Sequence, residues 1–188
     1  MLGSEPAVQP LTEWSRRLEA MSPGKVVPHI DPADAGVDAR VLFVLEAPGP
    51  MTNASNIRPG SGFISVDNDD ATAANIWQAR SDAGLHSGCM LWNIVPWYLG
   101  PASVKPTKSE LGEGAASLLE LMGLLPKLTT VILAGRIAQQ GWRAHIASSL
   151  RHPPVDVIET WHPSPLAMNQ PGKRDQFAAA LASAPRSA

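Results

Sequence analysis

The stretch Arg40-Val41-Leu42-Phe43-Val44-Leu45-Glu46-Ala47-Pro48-Gly49-Pro50 decides the fold. From Val41 to Leu45 every residue is apolar, on both alternations of an extended chain, so neither face of the segment suits water. That pattern belongs to a strand covered on both sides, as in a parallel sheet with helices above and below. Glu46 ends the run, and the prolines that follow take the chain out of the sheet because they cannot donate to its ladder. In open α/β sheets ligands bind just past the carboxyl ends of the strands, so this loop is the first place to look for chemistry. Standing alone, Glu46 reads as a solvated loop carboxylate.

Similar runs recur downstream. Cys89-Met90-Leu91-Trp92-Asn93-Ile94-Val95 reads as a second buried strand, Thr130-Val131-Ile132-Leu133-Ala134 as a third, and Val155 to Thr160 as a short buried fourth. Helical patterns lie between them. Ala71 to Ala83 carries Ala73, Ile76, Trp77 and Arg80 on one face; the acidic Asn68-Asp69-Asp70 caps its start and Gly84 stops it. Thr107-x-x-Glu110 is a capping box before the stripe Leu111, Ala115, Leu118, Leu119, Met122. Gly135-Arg136 opens a helix with Ala138, Trp142 and Ile146 one turn apart, and Lys173 to Ala184 closes the chain with Phe177, Ala178 and Leu181 on one face. Upstream, Leu11 to Met21 predicts a short surface helix carrying Trp14 and Leu18, with Thr12 as cap and Ser22-Pro23-Gly24 as stop. An irregular connection then runs to Asp38. The alternation predicts an α/β class: a three-layer α/β/α sandwich around a central four-stranded parallel sheet. Nothing divides the chain, so residues 1–188 read as one domain, with 1–10 and 185–188 loose.

Composition bounds the function. The net charge of −2 makes the chain as a whole no attractor of polyanions, so such a contact needs a local patch. Lys105 and Lys108 around Pro106 are the most basic spot, and Arg58 is the only charge in the loop Asn53 to Gly62. The single Cys89 excludes a four-cysteine zinc or iron–sulfur site and reads as a buried, inert thiol in a reducing compartment. There is no basic start with an apolar core, and no apolar run of ~18 residues. The expectation is a cytoplasmic protein without a membrane span, metal or cofactor.

Polar residues at strand ends mark the candidate site. Thr160-Trp161-His162-Pro163-Ser164-Pro165-Leu166 leaves the fourth strand as a stiff loop that presents a His, a Ser and a bare Leu. A lone His-Pro pair reads as an exit loop with a satisfied histidine. Asn93 in its apolar run must find partners or cost ~1–3 kcal/mol; it either bonds a neighbouring loop or offers a donor and an acceptor to a ligand. Gly135-Arg136 is either an ordinary strand-to-helix turn or a phosphate seat. Phe63 follows the glycine-flanked Gly60-Ser61-Gly62 turn, and burial is a phenylalanine's commonest fate. Pro96 to Pro101 reads as a rigid aromatic loop, and His145 and His152 as surface.

Taken in order, Leu45-Glu46-Ala47-Pro48-Gly49, Phe63, Asn93 at a strand end and His162-Pro163-Ser164-Pro165-Leu166 resemble the uracil-DNA glycosylase superfamily. Phe63-Ile64-Ser65-Val66 with Asn75-Ile76-Trp77, and Leu133-Ala134-Gly135-Arg136, fit the same family, so the resemblance covers most of the chain from Arg40 to Leu181. It implies a monofunctional hydrolase of DNA repair that flips uracil out of single- or double-stranded DNA and cleaves its N-glycosidic bond. Free uracil and an abasic site are left, and the expectation is a monomer. Under the resemblance His162 donates to the uracil carbonyl as charge develops, a role whose loss typically costs ~10²–10³ in rate. Asn93 reads the far edge of the base and rejects cytosine. Phe63 stacks on the base, worth ~1–3 kcal/mol, with Ala47 and Gly49 beside it. Leu166 fills the vacated gap as a wedge, Pro163, Ser164 and Pro165 bind and pinch phosphates, and Gly135, Arg136 and Lys105 add phosphate contacts.

The sequence also departs from the family. In the best-known branch the position of Ala47 is a water-orienting aspartate and that of Gly49 a tyrosine that blocks thymine's methyl. Both are small here, as in the bacterial branch with an iron–sulfur cluster, but the cysteines for that cluster are absent. The resemblance is therefore to a cluster-free relative, with Glu46 first in line to place the water and Asp67, Asp69 and Asp70 behind it. No basic, His-bearing insertion between Gly49 and Phe63 suggests covalent trapping on DNA. The alternative reading is a binding protein that kept the pocket and lost the chemistry.

Overall fold

The computed structural model describes residues 6–54, 59–100, 104–149 and 154–185. Arg58, Pro101 and His152 lie outside them. In chain order the elements are α1 (Gln9–Ala20), β1 (His29–Ile30), β2 (Val41–Leu45), β3 (Phe63–Ile64), α2 (Ala71–Ala83), β4 (Cys89–Asn93), α3 (Lys108–Gly123), β5 (Thr130–Ala134), α4 (Arg136–His145), β6 (Asp156–Thr160), α5 (Pro165–Met168) and α6 (Lys173–Ala182).

The expected sheet is present: four parallel strands in the order β4-β2-β5-β6. Val41 sits opposite Cys89 on one side and Thr130 on the other, and every residue of β2, β4 and β5 is buried. The chain runs from β2 to β4 at one edge, then returns past β2 to β5, so its crossover direction reverses. Right-handed crossovers then put α2 on one face and α3 and α4 on the other. The packing agrees, since α2 lies against α6, and α3 against α4 with α1 alongside. Phe43 of β2 meets Phe177 of α6 edge-on at 6.0 Å between centroids, and Trp92 of β4 meets Trp14 of α1 at 5.3 Å. Both pairs have the geometry that aromatic quadrupoles favour.

The two edge strands differ. Residues 31–38 fold over β4: Ala35 N–H donates to the Cys89 carbonyl (3.2 Å), and the Leu91 N–H donates to Asp34 Oδ2 (2.9 Å). Asp34 also pairs with Arg80 of α2 at 2.9 Å, with side chains only 5% and 3% exposed. Burial pushes the Asp34 carboxyl up to about 6, against the pull of Arg80. Among the described residues nothing comparable covers β6. Its residues Asp156, Val157 and Glu159 are exposed, which corrects the expectation of a buried fourth strand. An edge strand needs one apolar face at most, and this one ends its exposure with the Arg143–Glu159 pair.

Other expectations are corrected locally. Helix α1 starts earlier than read, with Val8 as N-cap and Pro10 in its first turn, and Thr12 caps nothing. Proline is tolerated there because the first-turn N–H groups have no helical partner anyway. The helix also buries Leu11, Trp14, Ser15 and Leu18. In α2 the buried stripe is Ala73, Ile76, Ala79, Arg80 and Ala83, leaving Trp77 outside it and 45% exposed beside His86. The stretch read as irregular contributes β1, which pairs in parallel with β3 as a two-residue ribbon. Pro165 does not prolong a loop but opens the single turn α5. The capping box at Thr107 and Glu110, the Asp70 cap, the left-handed Gly84 stop and the buried Cys89, its thiol pushed up to about 12 by burial, are as expected.

Candidate active site

Parallel pairing sends all four strand ends to one side of the sheet. Leu45 is opposite Asn93, and Ala134 is opposite Thr160, two residues before His162. Above the β2 and β4 ends, under the start of α2, lies a cavity of about 360 Å³. Leu45, Ala47, Gly49, Asn93, His162 and Pro165 line it, together with Ile64, Asn68, Asp70, Thr72 and Ile76 among others. A mostly apolar pocket of this size with a few convergent polar groups is the usual form of a small-ligand site.

Asn93 is the central polar group. It is the last residue of β4, 2% exposed, and its amide makes no hydrogen bond among the described residues. Its opening to the cavity leaves one donor and one acceptor edge for a ligand. The neighbouring backbone is held rigidly, with Ile94 N–H donating to the Leu45 carbonyl (2.8 Å) and Val95 N–H to that of Glu46 (3.0 Å).

His162 enters from the other side. Gly135 makes room: its φ is +93°, and a Cβ there would lie 2.8 Å from the His162 Cβ. Gly135 N–H and Gln139 Nε2 both donate to the Thr160 carbonyl, at 2.9 and 2.8 Å, fixing the strand end. Beyond it, Asn75 Nδ2 donates to the Pro163 carbonyl (2.8 Å), while Arg174 Nη1 donates to Asn75 Oδ1 (3.0 Å). Within the loop, Ser164 N–H donates to His162 Nδ1 at 3.2 Å. An Nδ1 that accepts leaves the proton of the neutral ring on Nε2, ready to donate to a ligand. Burial holds the imidazole below its ordinary 6.5; the Glu46 carboxylate works against that shift and the Lys105 ammonium with it. Burial thus favours the neutral ring.

The remaining expected residues divide. Ala47, Gly49 and Pro165 are at the cavity, and a Cβ on Gly49 would meet nothing within 4 Å. Leu166 stands 83% exposed at the first turn of α5, and Pro163 is buried. Arg136 is exposed at the start of α4, whereas Gly135 is a spacer under His162. Glu46 does not line the cavity. Lys105 Nζ grips both its carboxylate oxygens at 2.9 Å, so this lysine, read as a phosphate contact, is occupied by the carboxylate read as the water holder. Of the four acidic candidates, Asp70 is the one on the cavity wall; its Oδ1 caps α2 through the Thr72 and Ala73 N–H groups (2.8 and 2.9 Å). Phe63 is also absent from the wall. Its ring packs 6.1 Å from His29, while its strand neighbour Ile64 points the opposite way to the cavity, where Ser65, just past the strand, joins it. The sequence marks Asn68 only through the helix cap and Asn75 only through the family-like Asn75-Ile76-Trp77 stretch; Thr72 and Arg174 carry no signal there.

No group of three or more His, Cys, Asp or Glu side chains is placed to hold a metal ion among the described residues, and no helix there is long and apolar enough to cross a membrane. The sole cysteine lies inside β4, so the chain's residues do not fit a four-cysteine iron–sulfur cluster.

A histidine and a buried amide thus converge on one cavity past the strand ends of a parallel α/β sheet. The family model of the uracil DNA glycosylase superfamily matches residues 32–184, and the chain belongs to that superfamily. Among solved structures the chain is similar to mimivirus UNG, crystallised in complex with UGI, at 15% identity and a TM-score of 0.46. The match covers 84% of this chain and 66% of the viral one. No curated protein matches the sequence.

Proposed function

We propose that the protein removes uracil from DNA by hydrolysing the N-glycosidic bond of a flipped nucleotide. The buried, unpartnered amide of Asn93 on the cavity wall is the observation that carries this reading. An amide with no protein partner keeps its donor and its acceptor for whatever fills the cavity. The imide edge of uracil offers an N–H and a carbonyl, which match the amide's acceptor and donor. Cytosine carries an acceptor and an exocyclic amine there, and mispairs with both.

Cleavage leaves negative charge on the departing base and positive charge on the sugar. His162, neutral and with its proton on Nε2, is suited to donate to the carbonyl where that charge gathers. Its neutrality matters, because a donor in a dry pocket then acts without a desolvated charge before the reaction begins. Water needs a carboxylate near the sugar, and Asp70 is the acidic side chain on the wall. The flipped base is gripped by apolar walls such as Leu45, Ile64 and Ile76, and Leu166 is free to enter the stack it leaves.

A second reading, a damaged-base binder without chemistry, is favoured by the capture of Glu46 by Lys105. A uracil-containing oligonucleotide treated with protein and then alkali separates the two. Strand breaks support hydrolysis, and retarded but intact DNA supports binding alone. Asn93→Ala is expected to cut excision at least about tenfold and His162→Ala by ~10²–10³. Near-normal excision in both variants would remove the assignment.

A further inference from the structure

We propose that Trp161, Lys173 and Arg174 form a second nucleic-acid contact, a stacking and phosphate shelf for the unpaired DNA strand beside the flipped nucleotide. The proposal rests on the reading of the His162 cavity as a base pocket and extends its surface.

Trp161 directly precedes His162 and is 43% exposed, and Leu166, at 83%, stands on the other side of the same turn. Large apolar side chains on both flanks of one short loop are not a folding requirement, because each would be more stable buried. The indole is also locked in place. Its Nε1–H donates to Gln176 Oε1 at 2.6 Å, and the Lys173 ammonium sits 3.8 Å from the ring centroid. Arg174, the next residue, is exposed and reaches Asn75, which holds the Pro163 carbonyl. Asp175 follows in the same turn, and Glu159 nearby is taken up by Arg143, so the shelf itself keeps a cationic balance. An oriented aromatic beside two cations is the constellation that binds single strands: bases stack on the ring and phosphates meet the charges. Trp77 makes the contrast. It is equally exposed, but its neighbour is His86, and among the described residues no cation lies over its ring.

Fluorescence anisotropy with an undamaged, labelled oligothymidine tests the shelf without using uracil excision. Trp161→Ala is expected to weaken binding about tenfold, since one base–aromatic stack is lost, and Trp161→Phe to keep most of the affinity. Lys173→Gln is expected to reduce the slope of log K against log salt by about 0.7, one phosphate contact on a single strand. Equal affinity in Trp161→Ala and the parent, or equal losses in Trp161→Ala and Trp161→Phe, would overturn the shelf. So would a change of oligomeric state in Trp161→Ala with unaltered DNA binding, which would make the surface a protein interface. Excision is scored separately on the same preparations. An active parent with no Trp161 dependence removes the shelf alone, and an inactive parent with it removes the glycosylase reading alone.

Discussion

The two edges of the sheet carry the two halves of the site, and they are built differently. At the β4 edge, Asn93 ends a strand whose outer side is sealed by residues 31–38 and by the buried Asp34–Arg80 pair. At the β6 edge, His162 follows a strand whose side chains mostly meet water, and its position comes from a glycine, an asparagine and the two prolines of the loop. The reading group thus sits at the end of a fully buried strand that is hydrogen-bonded to β2 and tied to Asp34. The proton-bearing group sits on a separate, stiffened loop that also presents Leu166 to the outside. Discrimination between bases needs an amide that cannot turn. Opening a DNA stack needs surface that reaches out.

The comparison predicts unequal costs. Asp34→Ala strands a buried guanidinium at the closed edge and is expected to cost about 3–5 kcal/mol in chemical denaturation. Arg143→Ala, which breaks the exposed pair at the open edge, is expected to change stability by no more than about 0.5 kcal/mol. Similar costs at both edges would erase the distinction.

Gly135→Ala comes next. The added methyl overlaps His162 and meets a φ of +93°, so the ring must move. Misplacement of about 1 Å is enough for an excision loss on the order of 10²-fold. Uracil affinity through Asn93 should survive, so a drop in kcat with KM nearly unchanged is the expected result in steady-state kinetics. Loss of both together would tie the two edges more closely than proposed.

The smallest effect is a shift of pH profile. Excision should be flat near neutrality and fall with acid only below the usual histidine range, because burial disfavours the charged ring and protonation of Nδ1 breaks the bond from Ser164. The sign for stability is the same: the contribution is present above the ordinary value of 6.5 and is lost as pH falls through the lowered one. Lys105→Ala should move the acid limb up, and Glu46→Gln should move it down. An acid limb unmoved in both variants would show that neither charge acts on His162.

Much of this was legible in the chain. Three runs, Val41–Leu45, Cys89–Asn93 and Thr130–Ala134, are apolar on both alternations, and only burial on both faces accounts for that. The caps at Asp70 and Thr107 and the stop at Gly84 are local chemistry, complete within a few residues. The order of the motifs also placed Asn93 and His162 at strand ends, where parallel pairing had to bring them together. Residues whose roles depend on distant partners were not readable. Phe63 turned to His29 because β3 pairs with β1, a ribbon of two residues with no periodicity to see. Lys105 and Glu46, 59 positions apart, neutralise each other, and no spacing rule announces that contact.

The amino-acid sequence by itself determined which segments are strands and helices, and that an amide and an imidazole end two of them, because those features follow from hydrophobic alternation, proline and capping groups within one turn. Tertiary structure alone decided which strand is sealed and which is open, which carboxylate reaches the cavity, and on which nitrogen His162 carries its proton. Those depend on strand order and on single contacts across the fold. A strand's side chains alternate the same way at either edge, and only its neighbours set whether they meet core or water.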